Sequence, residues 1–176
     1  MPPKAQDAIA LLKADHRAVE DMFEEYSATT GAAKRKTLAR KICTELMIHT
    51  MIEEEIFYPA LVGNCDEETL NEAYVEHDGA KLLIGQIMSG EPGDTFFDAK
   101  VTVLAEEIKH HVKEEEMAGE GMFAQARESD LDLAELGRLM LTRKTELKAA
   151  YEASGLPVPT SRTLSTVEFE LGEPVA

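Results

Sequence analysis

Two histidine–glutamate pairs constrain this chain more than any other feature. One is His49 with Glu53, in Ile48-His49-Thr50-Met51-Ile52-Glu53-Glu54-Glu55-Ile56-Phe57-Tyr58-Pro59; the other is His111 with Glu115, in His111-Val112-Lys113-Glu114-Glu115-Glu116. A spacing of four puts both side chains on one face of an α-helix, one turn apart. Presented together, a neutral imidazole and a carboxylate are good ligands for a transition metal. The fold expected is one that brings the two pairs together.

The rest of the chain supplies helices to carry them. Ile9, Leu12, His16, Val19, Phe23 and Tyr26 alternate in steps of three and four, which predicts an amphipathic helix over 7–28. A second stripe, Leu38, Ile42, Leu46, His49, Ile52/Glu53, Ile56 and Ala60, predicts a helix over 32–61 that is distorted or ended near Pro59. A third runs over 67–88 through Leu70, Tyr74, His77, Lys81 and Ile84, with Asp66 at its start. A fourth runs over 95–127 through Phe97, Val101, Leu104, Ile108, His111 and Glu115, with a kink or short break at Gly119 and Gly121. Caps are expected from a threonine of Thr29-Thr30 for the second helix, from Asp94 for the fourth and from the capping-box-like Ser129-Asp130-Leu131-Asp132 for a fifth, which ends near Ala153. Residues 7–153 show no strand-like alternation. Short loops make neighbouring helices antiparallel. The expectation is therefore all-α: an up-down-up-down four-helix bundle over 1–154 with an additional C-terminal helix packed on its outside or across an end, and an extended tail over 155–176.

Each of the first four helices carries one histidine on its apolar stripe: His16, His49, His77 and His111. Any one alone reads more readily as a satisfied core histidine. Four imidazoles and two carboxylates buried together are costly unless something pairs them, and metal sites in bundle cores are built this way from facing helices. His16 and His49 are 33 residues apart and His77 and His111 are 34 apart, so helices one and two look like a repeat of three and four. Two metal ions bridged by Glu53 and Glu115 are the natural result. Helical phase selects His111 over its neighbour, because His111 continues Leu104 and Ile108 whereas His110 follows Glu106 and Glu107. His110 is expected to be exposed or to stand behind the ligands. Glu20 is expected on an exposed flank, and Glu54, Glu55, Glu114 and Glu116 in solvent or behind the ligands. Tyr58 could face the metal pocket or simply fill the core.

Composition excludes several other classes. With 34 acidic against 18 basic residues the net charge is -16, which repels phosphate backbones and argues against nucleic acid as a partner. No stretch approaches a membrane span, and the first ten residues lack a secretory apolar run. The two cysteines, Cys43 and Cys65, fit a reducing compartment, a disulfide between them being the minority alternative. A soluble, acidic, cytoplasmic protein is expected, as a monomer or weak dimer.

Asp15-His16, His49-x-x-x-Glu53 followed by Phe57-Tyr58-Pro59, Glu76-His77 and His110-His111-Val112-Lys113-Glu114-Glu115-Glu116 together resemble the hemerythrin-like, HHE cation-binding domains, over residues 7 to 127. The resemblance implies a four-helix bundle around two non-haem iron ions, oxo- or hydroxo-bridged, with His16, His49, Glu53, His77, His111 and Glu115 as the metal ligands. This chain departs from oxygen-carrying hemerythrins, which use five histidines, in offering only His77 from its third helix. The stretch after the second glutamate cluster, Met117 to Phe123, also looks extended by part of a turn against Phe57-Tyr58-Pro59. Manganese or zinc would bind the same ligand types. The resemblance therefore implies a small gaseous or peroxide ligand (O2, NO or peroxide). A peroxide-decomposing enzyme, iron sensing or storage, and a purely structural metal are the alternatives.

Overall fold

A computed structural model describes residues 6–165, and they contain helices but no strand. The helices are α1 (Ala8–Ala28), α2 (Ala32–Ile52), α3 (Tyr58–Leu61), α4 (Glu67–Ser89), α5 (Phe97–Glu115), α6 (Met122–Glu128) and α7 (Leu133–Ser154), with a π-helical turn, Glu53–Phe57, joining α2 to α3. α1 packs on α2 and α4 on α5; α2 against α4 and α1 against α5 close the ring. The result is the up-down-up-down bundle expected, with α7 laid outside along α1 and α2. None of these helices is long and apolar enough to cross a membrane. Residues 155–165 run without regular structure; the remainder of the expected tail, 166–176, and residues 1–5 lie outside the described residues.

Helix ends follow local hydrogen bonding, and three caps differ from the sequence expectation. Asp66 caps α4 as expected, accepting from the Thr69 amide. Thr29, however, donates its hydroxyl back to the Glu25 carbonyl and so closes α1, leaving Gly31 at the start of α2 with no side-chain cap. Asp94 accepts from the Glu91 amide within its loop, and Phe96 stands at the start of α5. Ser129 donates to the Ala126 carbonyl and ends α6; Asp132 caps α7 by accepting from the Glu135 amide. Thr29 and Ser129 each stand beside two helix ends and satisfy a carbonyl of the nearer one.

Two departures from regular helix shape the interior. Pro59 has no N–H for the Glu55 carbonyl, and its ring would crowd that oxygen in an α-helix. The chain responds one turn earlier: the Tyr58 amide bonds the Glu53 carbonyl five residues back, the π register. The second departure is a true break rather than a kink, residues 116–121 between α5 and α6. Gly121 is required there because a Cβ would sit 2.6 Å from the Glu114 carbonyl oxygen and from the Met117 nitrogen.

The core is divided in two. One apolar cluster gathers Ile9, Leu12, Ile48, Ile52, Phe57, Leu61, Met122, Phe123, Met140 and Leu147. The other gathers Val19, Met22, Leu38, Ile42, Leu46, Ile84, Val101 and Leu104. His16, His49, His77 and His111 occur in their stripes between residues of the first set and residues of the second. A polar layer thus lies across the bundle with apolar packing on both sides.

Candidate metal centre

All six residues singled out in the sequence meet in that layer, and all six are buried. The Nε2 atoms of His16 and His49 are 3.2 Å apart, as are those of His77 and His111. Glu53 joins the pairs through one oxygen: Oε2 is 3.2 Å from His49 Nε2 and 3.3 Å from His77 Nε2. Glu115 joins them through both, with Oε2 3.3 Å from His16 Nε2 and Oε1 3.6 Å from His111 Nε2. The layer resolves into two overlapping groups able to hold a metal ion, His16–His49–Glu53–Glu115 and Glu53–His77–His111.

The other ring nitrogen of each histidine faces a carboxylate. His16 Nδ1 is 2.8 Å from Glu116, His77 Nδ1 is 3.1 Å from Glu54 and His111 Nδ1 is 2.7 Å from Glu76. His49 Nδ1 faces Asp15 at 3.7 Å, too long for a hydrogen bond. A carboxylate on Nδ1 fixes the ring's orientation and leaves Nε2 free to face the centre. The partners cross between helices. Asp15, next to His16, serves His49, and Glu76, next to His77, serves His111; Glu54, next to Glu53, serves His77, and Glu116, next to Glu115, serves His16. The likeness of the first helix pair to the second therefore extends to the surrounding carboxylates, Asp15 and Glu54 in one matching Glu76 and Glu116 in the other. In sequence the signal for them is an acidic residue beside each of His16, Glu53, His77 and Glu115, on a different helical segment from the histidine it serves.

The groups suit a cation. Both Glu53 oxygens and Glu115 Oε2 are buried without a hydrogen-bond partner, an arrangement that is expensive unless positive charge is near. Burial opposes ionisation of Glu53, yet His49 and His77 hold its carboxyl well below the usual range. Burial would likewise drive the His49 imidazole down, but Glu53 and Asp15 outweigh it and raise it to about 10. For His111, burial is overridden by Glu115, Glu76 and Glu53, which raise it to about 9. Protons on these rings stand in for cationic charge that a metal ion would supply.

The two halves differ in what covers them. Tyr58 stacks on His77 with ring centroids 5.3 Å apart; its hydroxyl donates to Glu115 Oε1 at 3.0 Å and lies 3.2 Å from His77 Nε2. The matching place over His16 is taken by Phe123, stacked at 5.8 Å. The π turn is what admits Tyr58. In an α-helix position i+5 points well away from i, whereas a turn wound one residue wider returns it to the same face as Glu53. Burial, with Glu115 and Glu53 close by, pushes the Tyr58 phenol well above its usual range. The His16 half also borders a cavity of about 530 Å³ between α1 and α5, lined by Phe23, Ala105, Ile108 and Val112 with Arg17 and Glu24 among its polar residues.

The remaining candidates stay outside the centre. His110 is exposed, 3.1 Å from Glu114 and 3.6 Å from Glu76. Glu20 is exposed, and Glu55 pairs with Arg143 on α7. Cys43 and Cys65 are free thiols.

Comparison with known proteins agrees with this architecture. The model of the hemerythrin HHE cation binding domain matches residues 7–123. A DNA nickase from Nostoc sp. is 29% identical over 106 residues, which are 60% of this chain and 30% of that protein, so the similarity spans under a third of the relative's length. The crystal structure of a hemerythrin HHE cation binding domain-containing protein from Mycobacterium kansasii superposes with a TM-score of 0.70 at 20% identity, covering 86% of this chain and 95% of that one.

Proposed function

This chain belongs to the hemerythrin HHE cation binding domain family, and we propose that it is a non-haem di-iron protein that binds or reacts with O2, NO or peroxide in its buried layer. The observation that carries the proposal is the convergence of four Nε2 atoms on two carboxylates, of which both Glu53 oxygens and Glu115 Oε2 are buried with no hydrogen-bond partner. His16 and His49 would hold one iron and His77 and His111 the other, with Glu53 and Glu115 shared between them. Bound there, two irons supply exchangeable coordination positions and electron transfer. Six protein ligands for two ions leave room for a small molecule, and imidazole mixed with carboxylate is a set that iron accepts.

The chain's own residues favour reaction over reversible carriage. Tyr58 keeps its proton at neutral pH and holds it 3.0 Å from Glu115, inside the layer. A positioned, protonated phenol is a proton donor, and this one is held at the layer where the ions would sit. Glu116, Glu54 and Glu76 hold the His16, His77 and His111 rings through Nδ1, and the α1–α5 cavity gives a small apolar molecule a path to the His16 side. A peroxide-decomposing enzyme is the second reading, favoured by Tyr58; iron sensing or storage is the reading left if the phenol plays no part.

The test is rapid mixing of the anaerobically reduced, iron-loaded protein with O2, followed by peroxide. The expectation is prompt oxidation that pumping away O2 does not reverse, and O2 evolution from peroxide that falls at least tenfold in Tyr58→Phe. A spectrum that returns to its starting form under vacuum would restore a carrier role. Peroxide turnover untouched by Tyr58→Phe would remove the phenol from the chemistry.

A further inference from the structure

The cross-helix symmetry of the centre fails at one place. Behind His16, the Glu116 carboxylate is held by exposed cations, Arg17 at 3.0 Å and Lys13 at 3.4 Å. Behind His77, the Glu54 carboxylate is held by a buried one: Lys81 Nζ lies 2.7 Å from Glu54 and 3.2 Å from Asp78. Asp78 is itself fully buried, on α4, and its second oxygen is enclosed by the segment after α7. The hydroxyls of Ser161 and Thr163 and the amides of Arg162, Thr163 and Leu164 all donate to Asp78 Oδ2. Successive amides wrapped on one oxygen form an anion-holding nest. Burial opposes ionisation of Asp78, but these donors hold its carboxyl below the usual range. The same segment reaches the other side of the half-site, because the Arg162 guanidinium lies 4.8 Å over the Tyr74 ring, which meets Tyr58 edge-on at 5.2 Å.

This contact is not ordinary surface packing. Between the segment and α2 lies a cleft of about 480 Å³ bordered by Met47, Met51 and Tyr151, with Glu54 and Lys81 also in its wall. The link from segment to centre is thus a line of charge-assisted hydrogen bonds, nest to Asp78 to Lys81 to Glu54 to His77. Such bonds are short, directional and stronger than neutral ones.

We propose that Ser161–Leu164 is a positioning strap for the His77 half of the centre. Docked on Asp78, it fixes Lys81 and Glu54 and through them the His77 ring, so the ion held by His77 and His111 is the slowly exchanging one, while the His16 side exchanges through the α1–α5 cavity. The second part rests on the two-metal reading above; the first does not.

Ser161→Ala/Thr163→Val, made in the full chain, removes both hydroxyl donors from exposed positions and leaves the bundle untouched. Ser161→Thr/Thr163→Ser keeps both donors and should behave as the parent. In metal-free protein, imidazole 15N NMR should show the His77 resonances shifted or broadened in the double variant, with His16 and His49 unmoved. In protein loaded with Co(II), one of two ions should pass to a chelator about 10- to 100-fold faster, the range typical for losing a partner behind a ligand, and the other at its original rate. Asp78→Asn should act in the same direction and more strongly. An unmoved His77 signal with unchanged release would overturn the strap. So would equal acceleration of both ions with a lowered Tm, which would mean general stabilisation only. A parent protein that retains no Co(II) would defeat the two-metal reading, and the His77 signal would still decide the strap.

Discussion

His49 and His111 carry the clearest consequence of the centre's electrostatics. In metal-free protein their pKa values stand at about 10 and about 9, against an unfolded value near 6.5. Raised histidines contribute stability that is complete below the unfolded value and is lost as pH rises through 9 to 10. Glu53 has the opposite sign: its depressed pKa contributes stability present above about 4.5 and lost in acid. Metal-free protein should therefore weaken in strong acid and again as pH rises from about 6.5 through 9 to 10. A metal ion must displace the ring protons, so loading at pH 7 should release about two protons per chain, from His49 and His111, and apparent affinity should climb with pH until both have titrated, at about 9 and about 10. Calorimetric titration with Zn(II) in buffers of differing ionisation enthalpy reads the proton count directly. Release of no protons would mean that the rings are neutral in the absence of metal. Which residues to ask about was legible in the sequence: periodicity placed His111 inside and His110 outside, and exposure agrees. The orienting role of Asp15, Glu54, Glu76 and Glu116 was less so, because each serves a histidine on another helix, a relation that helical phase within one segment does not contain.

At the scale of elements, the regular helices were read from their stripes and the irregular ones only in part. Pro59 announced a disturbance, but not that the chain would answer with a π turn four residues earlier, so the choice of Tyr58 between pocket and core stayed open. That choice depends on how one residue of slack is distributed, a tertiary matter settled by packing around Phe57, Tyr58 and Leu61. Caps failed for a similar reason: Thr29 and Ser129 each had two helix ends within reach. The seating of α7 depends on a glycine whose purpose was invisible beforehand. A Cβ on Gly137 would lie 2.5 Å from the Gln6 carbonyl oxygen and 2.8 Å from the Ala8 nitrogen, backbone that cannot yield without moving the start of α1. Gly137→Ala should cost about 1–3 kcal/mol by overpacking, and lower Tm by about 2–4 °C for each kcal/mol in a chain of this size. Thermal unfolding at fixed metal loading measures it. An unchanged Tm would show that α7 does not sit that closely on α1.

The whole molecule places a charged layer between two apolar cores, braces it from outside with Lys144 of α7 on Asp15 and with the strap on Asp78, and opens it on one side through the α1–α5 cavity. Such a layer is poorly compensated without metal. An ion that binds only the native state adds stability with its concentration, about 2.7 kcal/mol at a hundredfold excess over Kd for each site. The proposed chemistry depends on two ions entering that layer. The deciding measurement is anaerobic titration of metal-free protein with Fe(II), scored by metal analysis after gel filtration. Two irons per chain are predicted, still two in His110→Ala and at most one in His111→Ala. Fewer than two in the parent protein, or two that survive His111→Ala but not His110→Ala, would contradict a centre built on His16, His49, Glu53, His77, His111 and Glu115.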